Sequence, residues 1–204
     1  MRPHRFRSVL VAAVVSVMAL SGTAPAVAHD AKTADHAAPA STNSLASLTG
    51  LFTERLLLAD KVAAAKYGTD TPIDDPVRER QILDDVAARA VGLDPDVVAA
   101  VFRDQIEANK LVQRGLYARW DAHPDERPTE RPDLAKEVRP ALDLITTRLL
   151  AALQETASVR DDAFCQPRLR AAAALSAYVH RLDVLHLKGL ERALPSVCTV
   201  ASGG

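Results

Sequence analysis

Residues 102–120 read FRDQIEANKLVQRGLYARW. Phe102, Ile106, Asn109, Gln113, Tyr117 and Trp120 follow one another by steps of four, three, four, four and three, so on a helix they share one face. The two ends of that face are apolar or aromatic and belong in a core. Its middle is a pair of carboxamides one turn apart. A buried amide without a partner costs roughly 1–3 kcal/mol. Either other protein groups satisfy this pair or a ligand does.

The composition around that stretch is that of a helical protein. The 204-residue chain is 48% hydrophobic and 25% charged, with a net charge of −1 and only 4% aromatic residues. Alanine and leucine dominate and β-branched runs are few, which predicts an all-α fold, a single-domain bundle of about six helices. The balanced charge gives no reason to expect nucleic acid as a partner.

The N-terminus reads as an export signal. Arg2, His4, Arg5 and Arg7 precede an apolar run at 8–22, SVLVAAVVSVMALSG, and Ala26-Val27-Ala28 fits a peptidase site with cleavage after Ala28. The run is short of the roughly 20 residues that a spanning helix needs. The expectation is a signal peptide over 1–28, a secreted or periplasmic location, and no membrane attachment after cleavage. Residues 29–43 are small and polar without periodicity and read as a disordered tether. The folded domain is expected over 44–204. Cys165 and Cys198 lie within it, and an exported chain with two cysteines is expected to join them in one disulfide. With no CxxC motif and no clustered histidines, no metal site is expected.

The first helix is expected from Ser44 to about Tyr67, with Leu48, Leu51, Arg55, Leu58, Val62 and Lys66 on its stripe. Arg55 and Lys66 are eleven residues apart, almost three full turns, so two cations project on an apolar line. For either one alone, snorkelling at the edge of the stripe is the commoner explanation. Asp75-Pro76 and Asp94-Pro95 each pair an N-cap carboxylate with a proline at the first helical position, and so open the next two helices. Glu79 complements the positive end of the first of these, whereas Arg78 in the same turn opposes it. Residues 121–132 carry three prolines and read as a solvated connector. A further helix begins at Asp133 or at Pro140 and runs to Ala157; Arg139 extends its stripe, although a residue before proline is biased away from helical geometry. The last helix spans Pro167 to Leu194, interrupted only at Gly189.

Arg55, Lys66, Arg78 and Arg139 are thus cations on or beside inward faces, with Asn109 and Gln113 as inward amides. Desolvated cations without anions are costly. A small ligand carrying more than one negative group resolves the pattern. No GxSxG, Cys/His set, HExxH or glycine-rich phosphate loop is present to suggest covalent chemistry. The plainer alternative makes every cation an internally satisfied core group, and Asp60, Asp75, Asp104 and Asp143 are the acids available for that.

These residues carry a resemblance. ERLLLADKVAAAKYG, PIDDPVRERQIL, GLDPDVVAAVFRDQIEANKLVQ with Trp120, PDL before Arg139 and the two late cysteines stand in an order that resembles the secreted class of all-helical, AroQ-type chorismate mutases, over about Leu45 to Cys198. The resemblance implies an isomerase that converts chorismate to prephenate by a Claisen rearrangement, with no cofactor and no covalent intermediate, in a homodimer whose pockets lie inside each protomer. It implies that Arg55 and Arg139 bind carboxylates and that Lys66 reaches a carboxylate and the ether oxygen. Arg78 becomes a further pocket cation, with Asp75 and Glu79 near the substrate hydroxyl. Asn109 stands where the family often has Thr or Ser, and Gln113 where the second ether-oxygen donor lies, a glutamate in some secreted members. Ile82 stands where related chains can carry a polar residue, which leaves open whether Gln81 reaches the pocket. The competing reading is an exported, non-catalytic helical module that binds a small anion or a partner protein; such a module has no need of two donors converging at Lys66 and Gln113.

Overall fold

The computed structural model describes residues 38–199, with side chains from 44 onward. The expected signal peptide at 1–28 and the first part of the expected tether lie outside the described residues. Seven α-helices are present among the described residues, α1 (Ala38–Lys66), α2 (Pro76–Ala88), α3 (Pro95–Ala122), α4 (Arg139–Glu155), α5 (Ala157–Arg160), α6 (Cys165–Val179) and α7 (Val184–Arg192). The fold is all-α, as the composition predicts, with seven helices where about six were expected.

α1 is the axis of the bundle. It packs against α3, α4, α6 and α7, and so it is apolar around most of its circumference. Leu45, Leu48, Phe52, Leu56, Ala59 and Ala63 are all buried. Its buried hydroxyls have partners: Thr53 Oγ1 donates to the Thr49 carbonyl at 3.0 Å and meets Ser176 Oγ at 2.8 Å. The helix starts at Ala38, ahead of the expected Ser44, and so runs into the segment read as a tether. It ends where Gly68 takes φ +68, a conformation that costs glycine least.

The two Asp-Pro signals are helix starts as expected. Asp75 accepts from Arg78 N at 3.0 Å, and Asp94 accepts from Asp96 N at 2.8 Å. The ambiguity at Asp133 and Pro140 resolves into two pieces. A π-turn over Leu134–Val138, capped by Asp133, leads into α4, which begins at Arg139. Proline has no N–H and its ring clashes with the carbonyl four residues back in a continuous α-helix; the wider turn before Pro140 relieves that conflict.

The expected last helix is two helices, and the break is not at Gly189. It falls at residues 180–183, where Arg181 takes φ 51 and Asp183 caps α7 by accepting from His186 N at 2.9 Å. Gly189 sits inside α7, where a Cβ would lie 2.8 Å from Val112 and 2.9 Å from Leu56. It is there for close approach of α7 to α3 and α1, not for a break. The Cys165–Cys198 disulfide is formed, with Cα atoms 5.8 Å apart, and ties the chain end to the start of α6.

Candidate active site

The central face of α3 is inward as its spacing requires. Phe102, Ile106, Gln113 and Trp120 are buried, and Asn109 and Tyr117 half-buried. Gln113 Nε2 donates to Asn109 Oδ1 at 2.7 Å, so the two amides partly satisfy each other. Gln113 Oε1 is buried without a partner.

Those amides line a cavity of about 200 Å³. Every site residue singled out from the sequence lines the same cavity: Arg55 and Lys66 from α1, Asp75, Arg78 and Glu79 from the start of α2, Asn109 and Gln113 from α3, and Arg139 from the start of α4. Val62, Ile82, Ile106, Val138 and Leu142 supply apolar wall between the polar groups. A neighbouring cavity of about 490 Å³ shares Arg55, Arg78, Ile82, Arg139 and Leu142, and continues past Gln81, Asp85, Arg89 and Asp143. Gln81 belongs to this second space and not to the first. It is exposed, with Oε1 3.5 Å from Arg78 Nη1.

Arg55 is the outlier. It is 6% exposed, and its Nε and Nη1 have no hydrogen-bond partner. Burial lowers its pKa from 12.5 to about 10, with Asp143 acting in the opposite sense. The guanidinium stands over the Phe102 ring at 5.7 Å. Lys66 is half-buried and its Nζ donates to the Pro72 carbonyl at 2.8 Å. Desolvation lowers its pKa, and Asp75, Asp74 and Glu79 pull it back up. At the end of the cavity Asp75 and Glu79 are tied together, since Glu79 Oε1 accepts from Asp75 N at 3.2 Å.

The alternative of internally satisfied cations fails at Arg55. Asp60 is engaged by His186 at 3.0 Å and Asp104 by Arg192 at 2.6 Å, while Asp75 caps α2. Asp143 is exposed and makes no hydrogen bond to Arg55. The arrangement is therefore a partly desolvated cationic chamber with amide groups on one wall. It can hold a small anion and donate hydrogen bonds to it.

The sequence reading missed Lys110. It lines the cavity and its Nζ lies 3.1 Å from Glu79, 3.3 Å from Asp74 and 2.5 Å from Glu107. A signal was available: Lys110 follows Ile106 by four and precedes Gln113 by three, the spacing of the α3 inward face.

Residues 46–114 match the family described as Chorismate mutase type II. Over 188 residues the chain is 33% identical to a secreted chorismate mutase of Mycolicibacterium smegmatis, covering 91% of this chain and 98% of that protein. The chain belongs to the secreted class of all-helical chorismate mutases. A secreted chorismate mutase of Mycobacterium tuberculosis is 34% identical over 159 residues, 77% of this chain and 79% of that one. Crystal structures of chorismate mutases from Burkholderia phymatum and Burkholderia thailandensis superpose with TM-scores of 0.75 and 0.73 at 35% and 40% identity. They cover 78% and 76% of this chain, and 98% and 99% of their own. As a chorismate mutase this chain is an enzyme, an isomerase. No helix among its described residues is long and apolar enough to cross a membrane.

Proposed function

We propose that the cavity between α1, α2, α3 and α4 binds chorismate and carries its rearrangement to prephenate. In that reaction the ether C–O bond breaks as a C–C bond forms within one molecule, so no group is transferred to the protein. The enzyme's work is to hold the folded conformer and to stabilise charge building on the ether oxygen. Arg55 and Arg139 take the carboxylates. Lys66 reaches a carboxylate and the ether oxygen, and Gln113 Nε2 is the second donor to that oxygen. Arg78 adds a cation, Asn109 steadies Gln113, and Asp75 and Glu79 meet the substrate hydroxyl. No cofactor enters this scheme.

The observation that carries the reading is Arg55, a buried guanidinium without a carboxylate partner among the described residues, in a cavity shared with Lys66 and Gln113. A dicarboxylate supplies what that group lacks.

The test is turnover. The protein is expressed under oxidising conditions and loss of chorismate absorbance is followed beside a Lys66→Ala, Gln113→Ala double variant. Consumption by the wild type and not by the folded double variant supports both donors. A folded, disulfide-bonded wild type that consumes nothing favours a binding module instead. The same reading expects cleavage after Ala28 on export, checked by the mass of the secreted chain. It also expects a homodimer, checked by sedimentation.

A further inference from the structure

A site for a dianion is a poor place for free carboxylates, yet Asp75 and Glu79 line it and Asp74 is close enough to act on the charge of Lys66. Lys110 takes up two of them. Its side chain is only 10% exposed, and Nζ lies 3.1 Å and 3.2 Å from the two Glu79 oxygens and 3.3 Å from Asp74. Asp74 has a second anchor in Arg114, at 2.6 Å. Asp75 is committed to capping α2. Among the described residues Glu79 forms no second ion pair: its other hydrogen bond is from the Asp75 N–H at 3.2 Å.

Lys66 faces the same cavity and forms no ion pair among the described residues; its Nζ donates to the Pro72 carbonyl. Lys66 and Lys110 are therefore rivals for Glu79, and Lys110 has it. We propose that Lys110 is a positioning residue of the reaction, holding Glu79 against α3 so that Lys66 stays free for the anionic substrate. This inference rests on the chorismate reading of the site. Without the Lys110 ammonium, Glu79 keeps its anchor on the Asp75 N–H and is left to Lys66, which lines the same cavity and already feels its charge. The new pair neutralises Lys66 and brings a negative charge to where the dianion binds. The substrate has to displace Glu79 from Lys66 before it binds, a cost common to the bound substrate and the transition state, so it appears in KM more than in kcat.

The plainer role for Lys110 is a bolt between α2 and α3, and the two roles part in a double-variant comparison. KM and kcat for chorismate are measured for wild type, Lys110→Met, Lys110→Arg, Glu79→Gln and the Glu79→Gln, Lys110→Met pair, with thermal melting alongside. We expect Lys110→Met to raise KM about tenfold while kcat falls less than about threefold, and Lys110→Arg to restore KM to within about threefold of wild type. In the Glu79→Gln background the carboxylate that competes for Lys66 is gone; Lys110→Met then frees only Glu107, its neighbour on α3, and Asp74, which keeps Arg114, and it changes KM by less than about twofold. An active wild type with the same KM rise in both backgrounds overturns the proposal and leaves the mutase reading standing. If Lys110→Met alone does not fold, the two Glu79→Gln chains decide: a KM change under twofold supports the proposal and a tenfold change overturns it. A wild type that turns over no chorismate overturns the mutase reading and this one with it.

Discussion

Gln113 donates through Nε2 to Asn109 Oδ1 at 2.7 Å, one turn back on α3. That bond uses one of the two amide hydrogens and leaves one for a ligand. A glutamine donates at any pH, whereas a glutamate donates only when protonated. The rate of the wild type is therefore expected to show no acid optimum set by this position. Gln113→Glu is expected to lose on the order of 100-fold in kcat/KM at pH 7.5 and to recover as pH falls toward 5. The check is kcat/KM against pH for both proteins. A wild-type rate that climbs steeply on acidification, with the climb lost on changing Gln113, contradicts the assignment.

Arg55 is buried at the expense of stability. Its guanidinium has unpartnered nitrogens and a pKa depressed to about 10 by burial. Replacing an unpaired buried cation by an apolar side chain removes the desolvation cost. Arg55→Met is expected to be as stable as wild type or up to ~2 kcal/mol more stable, while losing on the order of 100-fold in kcat/KM. Urea unfolding and steady-state kinetics on the same preparation check both halves. A variant that is strongly destabilised shows that Arg55 is a satisfied structural group.

His186 pins α7 to α1. Its Nε2 lies 3.0 Å from Asp60 and its Nδ1 2.7 Å from Asp183. The hydrogen bond to Asp60 raises its pKa from 6.5 to about 9, against desolvation and with help from Asp183. Because the folded pKa lies above the unfolded one, the stabilisation is complete below about pH 6.5 and fades as pH rises through about 9. With both carboxylates about half exposed, the ring's contribution is roughly 1–2 kcal/mol. His186→Gln is expected to cost that much at pH 6 and little at pH 9.5. Unfolding free energies of the two proteins at both pH values decide it. A gap that widens with pH runs against the pairing.

The Cys165–Cys198 disulfide closes a loop with a sequence separation of 33. The chain-entropy relation assigns such a loop about 4 kcal/mol. The Cys165→Ser, Cys198→Ser variant is expected to lose most of that in denaturant unfolding. Activity at low temperature is expected to persist, because neither cysteine lines the cavity. A loss of activity in the folded variant contradicts that separation of roles.

Lys110 shows why part of the site was not legible. Its spacing from Ile106 and Gln113 marks the inward face of α3, but nothing local tells a lysine that snorkels to solvent from one that meets Glu79 across helices. The partner is 31 residues away in the chain. The plainer choice for a lone lysine is solvent, so the sequence left it unremarked. Arg139 was legible as a residue type and not as a position, since the π-turn that places it exists to relieve Pro140 against the preceding carbonyls.

The sequence by itself determined the helix starts at Asp75-Pro76 and Asp94-Pro95, the inward face of α3, the paired cysteines and which residue types are anomalous for a core. Those are local matters of capping, periodicity and cost of burial, carried within a few turns of chain. Tertiary structure alone decided three things. It set the break at Arg181, because α7 must fold back along α1 and bring Gly189 against Leu56 and Val112. It left Arg55 without an ion pair among the described residues, with Asp143 exposed and acting on it only through its charge. And it gave Glu79 to Lys110 and not to Lys66. Each is a competition among groups distant in sequence, and only the packed chain fixes which partner lies within reach.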